Sequence, residues 1–168
     1  MDDVEYSDVV NDQDEVIDRV PRSKAVKENL CRRAVHVFLQ NSKGEVLSQL
    51  RAKDKEIMPD HWSTSVQGAV SAGEAPDASA AREMQEEIGV EIPLEFIGKF
   101  KQVTDVQNEF VYVYYGKYEG ELKLDNREMQ EVKWFDPEYL SENPDGLKLD
   151  TNLVDALKML KEKVGFGS

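Results

Sequence analysis

The sequence has little cysteine and no long apolar run. Cys31 is the only cysteine, which excludes an internal disulfide and predicts a reducing compartment. The longest apolar runs are far too short to span a bilayer. The N-terminus is acidic and has no apolar segment of the kind found in signal peptides, so we expect a cytoplasmic protein.

Basic residues are scarce relative to acidic ones. The 168 residues include 21 Lys and Arg against 34 Asp and Glu, which gives a net charge of −13. A surface with this charge repels nucleic acid and anionic membranes, so we expect neither as a partner. A substrate that carries phosphates would need a metal ion and local basic residues. The length predicts one domain over residues 1–168, with residues 1–7 as a loose acidic tail.

Residues 68–90 (GAVSAGEAPDASAAREMQEEIGV) contain the most informative pattern in the chain. Pro76 suits the first position of a helix and Gly89 suits a helix end, so we predict a helix over residues 76–88. Apolar side chains at helical spacing predict a buried stripe on this helix at Ala80, Ala81, Met84 and Ile88.

Three glutamates occupy another side of the predicted helix. Glu83, Glu86 and Glu87 stand at positions i, i+3 and i+4, so their carboxylates lie close together. One interpretation is a solvated acidic face. The alternative is a metal site, because acidic residues near a helix C-terminus oppose the macrodipole and a divalent cation would turn their repulsion into ligation. Carboxylate oxygens are natural ligands of Mg²⁺, which also takes substrate phosphates.

The segment ahead of the helix favours the metal site. Gly68 and Gly73 flank small residues that let the backbone approach a ligand closely. Glu74 follows them. Arg82 lies among the carboxylates, where its guanidinium could fix their orientation through bidentate hydrogen bonds.

Together these residues resemble the Nudix box, the signature of the Nudix hydrolase superfamily. The signature is Gly, five residues, Glu, seven residues and then Arg-Glu-apolar-any-Glu-Glu-any-Gly-apolar. The chain matches it without departure at Gly68, Glu74, Arg82, Glu83, Met84, Glu86, Glu87, Gly89 and Val90. At ordinary residue frequencies a chance match in a chain this long is on the order of one in ten million. The resemblance implies a Nudix fold, a loop–helix–loop metal site and pyrophosphate-bond chemistry.

The remaining elements follow from apolar patterns and turn residues. A hairpin is predicted from residues 8–10 and 15–18, and a short helix, capped by Ser23, over residues 23–29. Strands are predicted over residues 33–40, 45–50, 96–105, 109–119 and 131–136. Residues 63–70 are predicted as a strand and loop, and Pro144-Asp145-Gly146 predicts a turn. A C-terminal helix, capped by Thr151 or Asn152, has an apolar stripe at Leu153, Ala156, Leu157 and Leu160. These elements predict an α+β fold, an α/β/α sandwich with a mixed sheet between helices.

The upstream half is similar to the branch of Nudix proteins that includes isopentenyl diphosphate isomerases. The similarity runs roughly from Tyr6 to Asp136 and includes the stretches RRAVHVFLQNSKGEVLSQLRAKDK and MPDHW. The isomerases have a catalytic Cys and a metal-ligating His where this chain has Gln67 and Ala69, and another metal His where it has Arg32. Gln67 cannot transfer a proton as a thiol or carboxylic acid does, so these departures favour a hydrolase over an isomerase.

The same resemblance suggests roles for four residues outside the box. Arg51 and Lys55 match positions where the isomerases grip diphosphate; the residues alone leave open a phosphate clamp or a solvated loop. Glu109 matches an acidic strand segment that faces the metal site, and a plain strand-edge charge is the alternative. Glu128 lies in a loop where many Nudix hydrolases place a catalytic carboxylate.

Three other side chains are better explained by packing than by chemistry. His36 lies inside an apolar strand, where a hydrogen-bonded core histidine is favoured over a metal ligand. Trp62 and Trp134 are favoured as packing residues over platforms for a stacked base.

The resemblance implies a metal-dependent hydrolase that cleaves a diphosphate linkage in a nucleoside diphosphate linked to another moiety X. Mg²⁺ or Mn²⁺ would be bound by Glu83, Glu86 and Glu87, with a backbone carbonyl near Gly68 as a further ligand. Arg82 would orient these carboxylates.

The resemblance leaves the general base and the substrate open. Glu83, Glu109 and Glu128 are the candidates for the carboxylate that accepts a proton from the attacking water. An isopentenyl diphosphate isomerase-like enzyme and a non-catalytic diphosphate-binding module are the alternative functions. The expected partner is a small-molecule diphosphate substrate. Dimers are common in this fold, so a homodimer is compatible with the resemblance.

Overall fold

A computed structural model of the protein describes residues 4–142 and 145–165. The strands are β1 Tyr6–Val10, β2 Val16–Pro21, β3 Arg32–Gln40, β4 Val46–Arg51, β5 Trp62–Ser63, β6 Val66–Ala69, β7 Glu95–Val103, β8 Asn108–Lys117 and β9 Met129–Phe135. The helices are α1 Arg22–Lys27, α2 Pro76–Ile88, α3 Pro137–Ser141 and α4 Thr151–Lys163. The bounds predicted for the central helix, α2, are confirmed. None of the helices in the described part of the chain has the length and apolar character needed to cross a membrane.

Seven strands of the described chain form one mixed sheet. Its main path has the order β5-β4-β3-β8-β7, with β6 paired to β3 and β9 paired to β4. The pairing of β3 with β8 is parallel, and the other pairings are antiparallel. Because β3 and β8 run in the same direction, their first residues lie side by side, and Arg32 is in register with Glu109. β1 and β2 form a separate antiparallel hairpin.

Helices cover both faces of the sheet. On one face, Val35, Val37 and Leu39 of β3 share a core with Ala80, Met84 and Ile88 of α2. On the other face, Phe38 of β3 shares a core with Leu153, Ala156, Leu157 and Leu160 of α4. The predicted sandwich and the predicted stripe of the C-terminal helix are confirmed, since alternate residues of one strand pack against helices on opposite sides.

The two tryptophans pack in these cores, as predicted. Trp62 lies edge-on to Phe135, with 5.1 Å between the ring centroids, in the core on the α4 side. Trp134 is half-buried against the core on the α2 side.

Predictions near the N-terminus need correction. Tyr6 and Ser7, predicted within a loose tail, lie in β1, because this segment pairs with β2; residues 1–3 lie outside the described residues. The first helix begins at Arg22 after Pro21, without a side-chain cap from Ser23.

Two details of the longer helices also need correction. Ala81, predicted in the buried stripe of α2, is exposed, whereas Ser79 and Glu87 are buried. The buried face of α2 is therefore rotated about the helix axis relative to the predicted stripe, away from Ala81 and toward Ser79 and Glu87. Asp150 caps α4 instead of its two successors, since its carboxylate accepts a hydrogen bond from the Asn152 backbone N–H at 2.8 Å. Pro144 of the predicted turn lies outside the described residues.

A buried carboxylate anchors the β1–β2 hairpin to the main sheet. Asp14, in the turn between the two strands, accepts hydrogen bonds from Arg33 Nε at 2.7 Å, from Lys99 Nζ at 2.8 Å and from the Tyr112 hydroxyl. Burial disfavours the charged form of Asp14, but these donors outweigh burial and lower its pKa. Ionised Asp14 therefore stabilises the attachment of the hairpin.

We expect Asp14→Asn to lower the free energy of unfolding by about 1–2 kcal/mol, because it removes the charge from hydrogen bonds with two cations. The matched control is Asp12→Asn. Asp12 lies in the same turn and pairs with Lys101 at 2.7 Å, but its side chain is 85% exposed, so we expect no measurable change. Urea unfolding of both variants measures the difference. Equal effects of the two substitutions would contradict the anchoring role.

Candidate active site

A polar cavity of about 260 Å³ is lined by residues of β3, β4, β6, β8, α2 and α4. It brings together these predicted site residues: Arg51, Lys55, Gly68, Arg82, Glu83, Glu86, Glu109 and Glu128. The other predicted site residue, Glu87, is buried and lies one helical turn after Glu83 on α2. Residues far apart in the sequence therefore share one site.

Arg82 of α2 forms hydrogen bonds with three acidic side chains. Its Nε and Nη2 donate to the two carboxylate oxygens of Glu74, each at 3.0 Å. Its Nη1 donates to Glu83 at 3.1 Å and to Glu86 at 3.2 Å. These bonds, the one to Glu74 above all, raise the pKa of Arg82, and Arg82 lowers the pKa of Glu74. The bidentate contact predicted for Arg82 is present, and its main partner is Glu74.

The three glutamates of α2 differ in how deeply they are buried. Glu87 is 2% exposed, and its Oε1 accepts a hydrogen bond from Gln49 Nε2 at 2.9 Å. Burial raises the pKa of Glu87 and of Glu83, and their mutual contact raises that of Glu87 further. Glu86 is half-exposed. A solvated acidic face therefore describes Glu86 alone.

The donor set of the cavity fits a divalent cation. Within the described residues, Oε2 of Glu87 is buried without a hydrogen-bond partner, so this oxygen has an unused lone pair. The neighbouring donors are carboxylate and carbonyl oxygens, which suit Mg²⁺. However, no three acidic, His or Cys side chains in the described ranges converge closely enough to form a finished metal site. Glu83 and Glu86 are turned toward Arg82, so metal binding would require these carboxylates to reorient.

Gly68 is where the backbone approaches the acidic cluster most closely. A Cβ atom at this position would lie 2.5 Å from Cδ of Glu83 and 2.7 Å from its Oε1. Both distances are shorter than a van der Waals contact allows. Only glycine lets β6 approach Glu83 in this way, and the predicted close approach of this backbone to a ligand stays a prediction.

A hydrogen-bonded network occupies another part of the cavity wall. Asn152 Nδ2 donates to Glu109 Oε1 at 3.0 Å and lies 3.3 Å from His36 Nε2. His36 Nδ1 lies 2.8 Å from the Thr64 hydroxyl, which donates to the Val66 carbonyl. The pattern fixes His36 as a neutral ring with its proton on Nδ1. Burial lowers the pKa of His36 to about 3, and the predicted hydrogen-bonded core histidine is confirmed.

The network shows that Glu109 is a wall residue of the cavity. Glu109 is 9% exposed and burial raises its pKa, although the Asn152 hydrogen bond opposes that shift. A plain strand-edge charge is therefore the wrong interpretation of this residue. Asp150 and Asn152 also line the cavity, and sequence reasoning considered this stretch only as a helix start. Three successive residues that can cap a helix were the available signal, because one cap leaves the other side chains for different contacts.

Two basic residues line the cavity, Arg51 at the end of β4 and Lys55 in the loop that follows. Arg51 Nε donates to the Ile57 and Met58 carbonyls at 3.0 and 3.2 Å, which fixes its side chain. Burial lowers the pKa of Arg51, although nearby acidic residues oppose this shift. Lys55 is hydrogen-bonded to Glu128. A fully solvated loop therefore does not describe Arg51 or Lys55.

The positions compared with the isomerases also face this cavity. Arg32, Gln67 and Ala69 all belong to its lining. Arg32 is 5% exposed and donates to the Leu30 carbonyl at 2.9 Å. The substituted positions are thus at the site, and they supply a guanidinium, an amide and a methyl group in place of a thiol and imidazoles.

Comparisons with known proteins agree with this architecture. The model of the NUDIX domain matches residues 31–157. An uncharacterized Nudix hydrolase of Pseudomonas aeruginosa is 29% identical over 151 residues, covering 89% of this chain and 89% of the relative. A crystal structure of a protein from Deinococcus radiodurans has a TM-score of 0.79 and 26% identity, covering 92% of this chain and 98% of that one. The NUDIX domain of Shewanella oneidensis NrtR, complexed with ADP ribose, has a TM-score of 0.65 and 12% identity over 86% and 99%, a likeness of fold.

The mixed sheet with helices on both faces places the chain in the α+β class. The chain belongs to the NUDIX domain family. It is a Nudix hydrolase, as are the relatives it matches along most of its length. Enzymes of this family generally use divalent metal ions and act on small molecules. The similarity to isomerases stays a prediction, since these relatives carry the name of hydrolases.

We expect Gly68→Ala to lower kcat by about 10- to 100-fold, because the added methyl group displaces the Glu83 carboxylate from its position. Gly120→Ala is the matched control. Its Cβ would come within 2.4 Å of the Tyr118 hydroxyl, at the flexible end of a side chain that is not part of the cavity lining. Steady-state kinetics and thermal unfolding of both variants separate a site effect from a folding effect. Full activity of Gly68→Ala would show that Glu83 need not occupy this position.

Proposed function

We propose that the protein cleaves a diphosphate linkage in a nucleoside diphosphate linked to another moiety X, by attack of water on phosphorus. The observation that carries this proposal is the shared cavity, whose lining includes Glu83 and Glu86 of α2 together with Arg51 and Lys55. Acidic residues suit a cation and basic residues suit phosphate oxygens, so the two sets together suit a metal-bound diphosphate. The single cysteine supports a cytoplasmic location.

Three glutamates of α2 would hold Mg²⁺ or Mn²⁺. Glu83, Glu86 and Glu87 supply carboxylate oxygens, and the carbonyl of Gly68 is an additional donor. The cation, when bound, polarises the diphosphate and lowers the pKa of water. Arg82 would release Glu83 and Glu86 to the metal and keep its two hydrogen bonds to Glu74. Held in this way, Arg82 would still orient the carboxylates beside it.

The substrate's charge would be balanced by Arg51 and Lys55. Arg51 is held by two backbone carbonyls, so a planar donor is already positioned at the cavity. Lys55 contacts Glu128 and would exchange that partner for a phosphate oxygen. Preorganised cations of this kind stabilise the charge that develops on non-bridging oxygens.

Among the three candidate bases, Glu109 is the best supported. Glu83 already accepts a hydrogen bond from the cation Arg82, and Glu128 accepts one from the cation Lys55. Glu109 accepts its hydrogen bond from the neutral Asn152, and burial raises its pKa. Glu109 would therefore take the proton from the attacking water, with Asn152 as the residue that positions it.

The first experiment measures release of phosphate or a nucleotide in the presence of Mg²⁺ or Mn²⁺. The substrates are nucleotide sugars, dinucleotides, ADP-ribose, coenzyme A, nucleoside triphosphates and isopentenyl diphosphate. Turnover of one class supports the hydrolase and names its substrate. Proton exchange into isopentenyl diphosphate would support the isomerase alternative, and metal-dependent binding without turnover would support a binding module.

Glu87→Gln should lower kcat by about three orders of magnitude, because a neutral amide cannot replace a carboxylate as metal ligand. The amide keeps the shape of the side chain, so we expect a folded protein. Glu91→Gln, in the exposed segment after α2, is the control and should keep full activity. Thermal unfolding with and without Mg²⁺ gives a second measurement: the metal should stabilise the wild type and the control but not Glu87→Gln. Near-normal turnover of Glu87→Gln would refute the metal assignment.

Glu109→Gln should lower kcat by about 100-fold or more with little change in KM, as expected for removal of a general base. Asn152→Ala should lower kcat by a smaller factor, because Glu109 remains but loses its hydrogen bond. Glu128→Gln should act mainly on KM through its partner Lys55. If Glu128→Gln or Glu83→Gln abolished turnover while Glu109→Gln retained kcat, the base would have to be reassigned.

A further inference from the structure

A second groove adjoins the cavity and has no role in the chemistry described so far. Its volume is about 490 Å³. It shares these lining residues with the cavity: Glu5, Arg22, Val26, Arg51, Lys55 and Ile57. The rest of its lining is Val4, Ser23 and Glu56. We call this space the outer groove. The shared wall makes it continuous with the cavity, so a ligand that fills the cavity can extend into it.

The outer groove is positively charged, in contrast to the chain as a whole. Its lining holds the cations Arg22, Arg51 and Lys55 against the carboxylates Glu5 and Glu56, whereas the chain carries a net charge of −13. A cationic surface on an acidic protein attracts anions locally. Among these three cations, Arg22 is the one that no step of the proposed hydrolysis uses.

Arg22 has a hydrogen-bonded backbone and an exposed side chain. Its backbone N–H donates to the Glu5 carbonyl at 2.8 Å, and its neighbour Ala25 is buried against the β1–β2 hairpin. Its guanidinium lies 3.7 Å from the Glu5 carboxylate, and both side chains are more than half exposed, at 51% and 74%. Such an ion pair is weak. Arg22 can therefore exchange this partner for an anionic group of a ligand, to which a guanidinium binds in a bidentate manner.

Apolar surface lies beside these charges. Val26 of α1 and Ile57 of the loop after β4 are half-buried in the lining of the outer groove. They offer a surface for the carbon skeleton of a sugar or ring, while Arg22 stands at the edge. The combination suits a moiety that has a compact body and carries an anionic group.

We propose that the outer groove binds the moiety X and that Arg22 recognises a phosphate or carboxylate carried by X. This inference rests on the proposed diphosphate hydrolysis, since Arg51 and Lys55 at the junction of the two spaces would hold the cleaved diphosphate. The substrate class is then a nucleoside diphosphate linked to an acidic X.

The test compares substrates that differ by one anionic group. The pairs are ADP-ribose with ADP-ribose 1″-phosphate and UDP-glucose with UDP-glucuronate. KM and kcat are measured with Mg²⁺, and binding is measured by calorimetry in metal-free buffer. The proteins are the wild type, Arg22→Gln and Lys24→Gln, a matched control on the same helix whose side chain is exposed and outside both linings.

The wild type should prefer the acidic member of a pair by about tenfold, the size expected for a charge-assisted hydrogen bond. Arg22→Gln should remove this preference through KM, with kcat unchanged, and Lys24→Gln should keep it. Equal affinity of the wild type for both members, absence of measurable binding, or an equal rise in KM for both members in Arg22→Gln would overturn the proposal. Calorimetry separates the two failures: an anion preference without any turnover would leave the subsite standing and refute the hydrolysis.

Discussion

The parallel pairing of β3 with β8 is the constraint on which the site depends. It sets the first residues of the two strands side by side, with Arg32 opposite Glu109. The helices that cover the two faces of the sheet both contribute side chains at this end, Glu83 from α2 and Asn152 from α4. If β3 and β8 were antiparallel, their first residues would lie at opposite ends of the strand pair. The cavity thus follows from strand direction before any side chain is considered.

Electrostatics then decides how acidic side chains coexist in the cavity. Glu74, Glu83 and Glu86 share the guanidinium of Arg82, so the cluster is partly neutralised without a metal. Glu87 lacks this contact and is buried with one oxygen unpaired among the described residues. If the proposed divalent cation binds, it would compete with Arg82 for Glu83 and Glu86, whereas Oε2 of Glu87 has no hydrogen-bond partner among the described residues. The proposed site therefore has one carboxylate oxygen that is available to a cation without loss of a hydrogen bond.

The bounds of α2 could be predicted from the sequence, and so could the set of residues that now line one cavity. Both predictions rest on strong sequence signals. Proline and glycine fixed the helix bounds locally, and the nine-position signature supplied the fold by resemblance. The rotation of α2 about its axis was harder to predict. Glu87 and Ala81 both border the apolar stripe, and the packing of Met84 and Ile88 against the sheet decided which of them is buried.

The Asn152–Glu109 contact was out of reach for a different reason. The two residues are 43 positions apart, and no local pattern relates them. Only the docking of α4 on the sheet brings the amide to the carboxylate. Likewise, nothing local in the acidic N-terminal stretch indicates that Tyr6 and Ser7 pair with β2 and line the cavity.

The first described residues are therefore part of the wall of the site. Val4 borders the outer groove, and the β1–β2 hairpin that follows it is attached to the main sheet through Asp14. Any segment fused ahead of Val4 is tied to the entrance of the site. An oligohistidine tag placed there would bring imidazoles and added bulk to the entrance of the site. Specificity is best measured on protein whose first residues are unmodified.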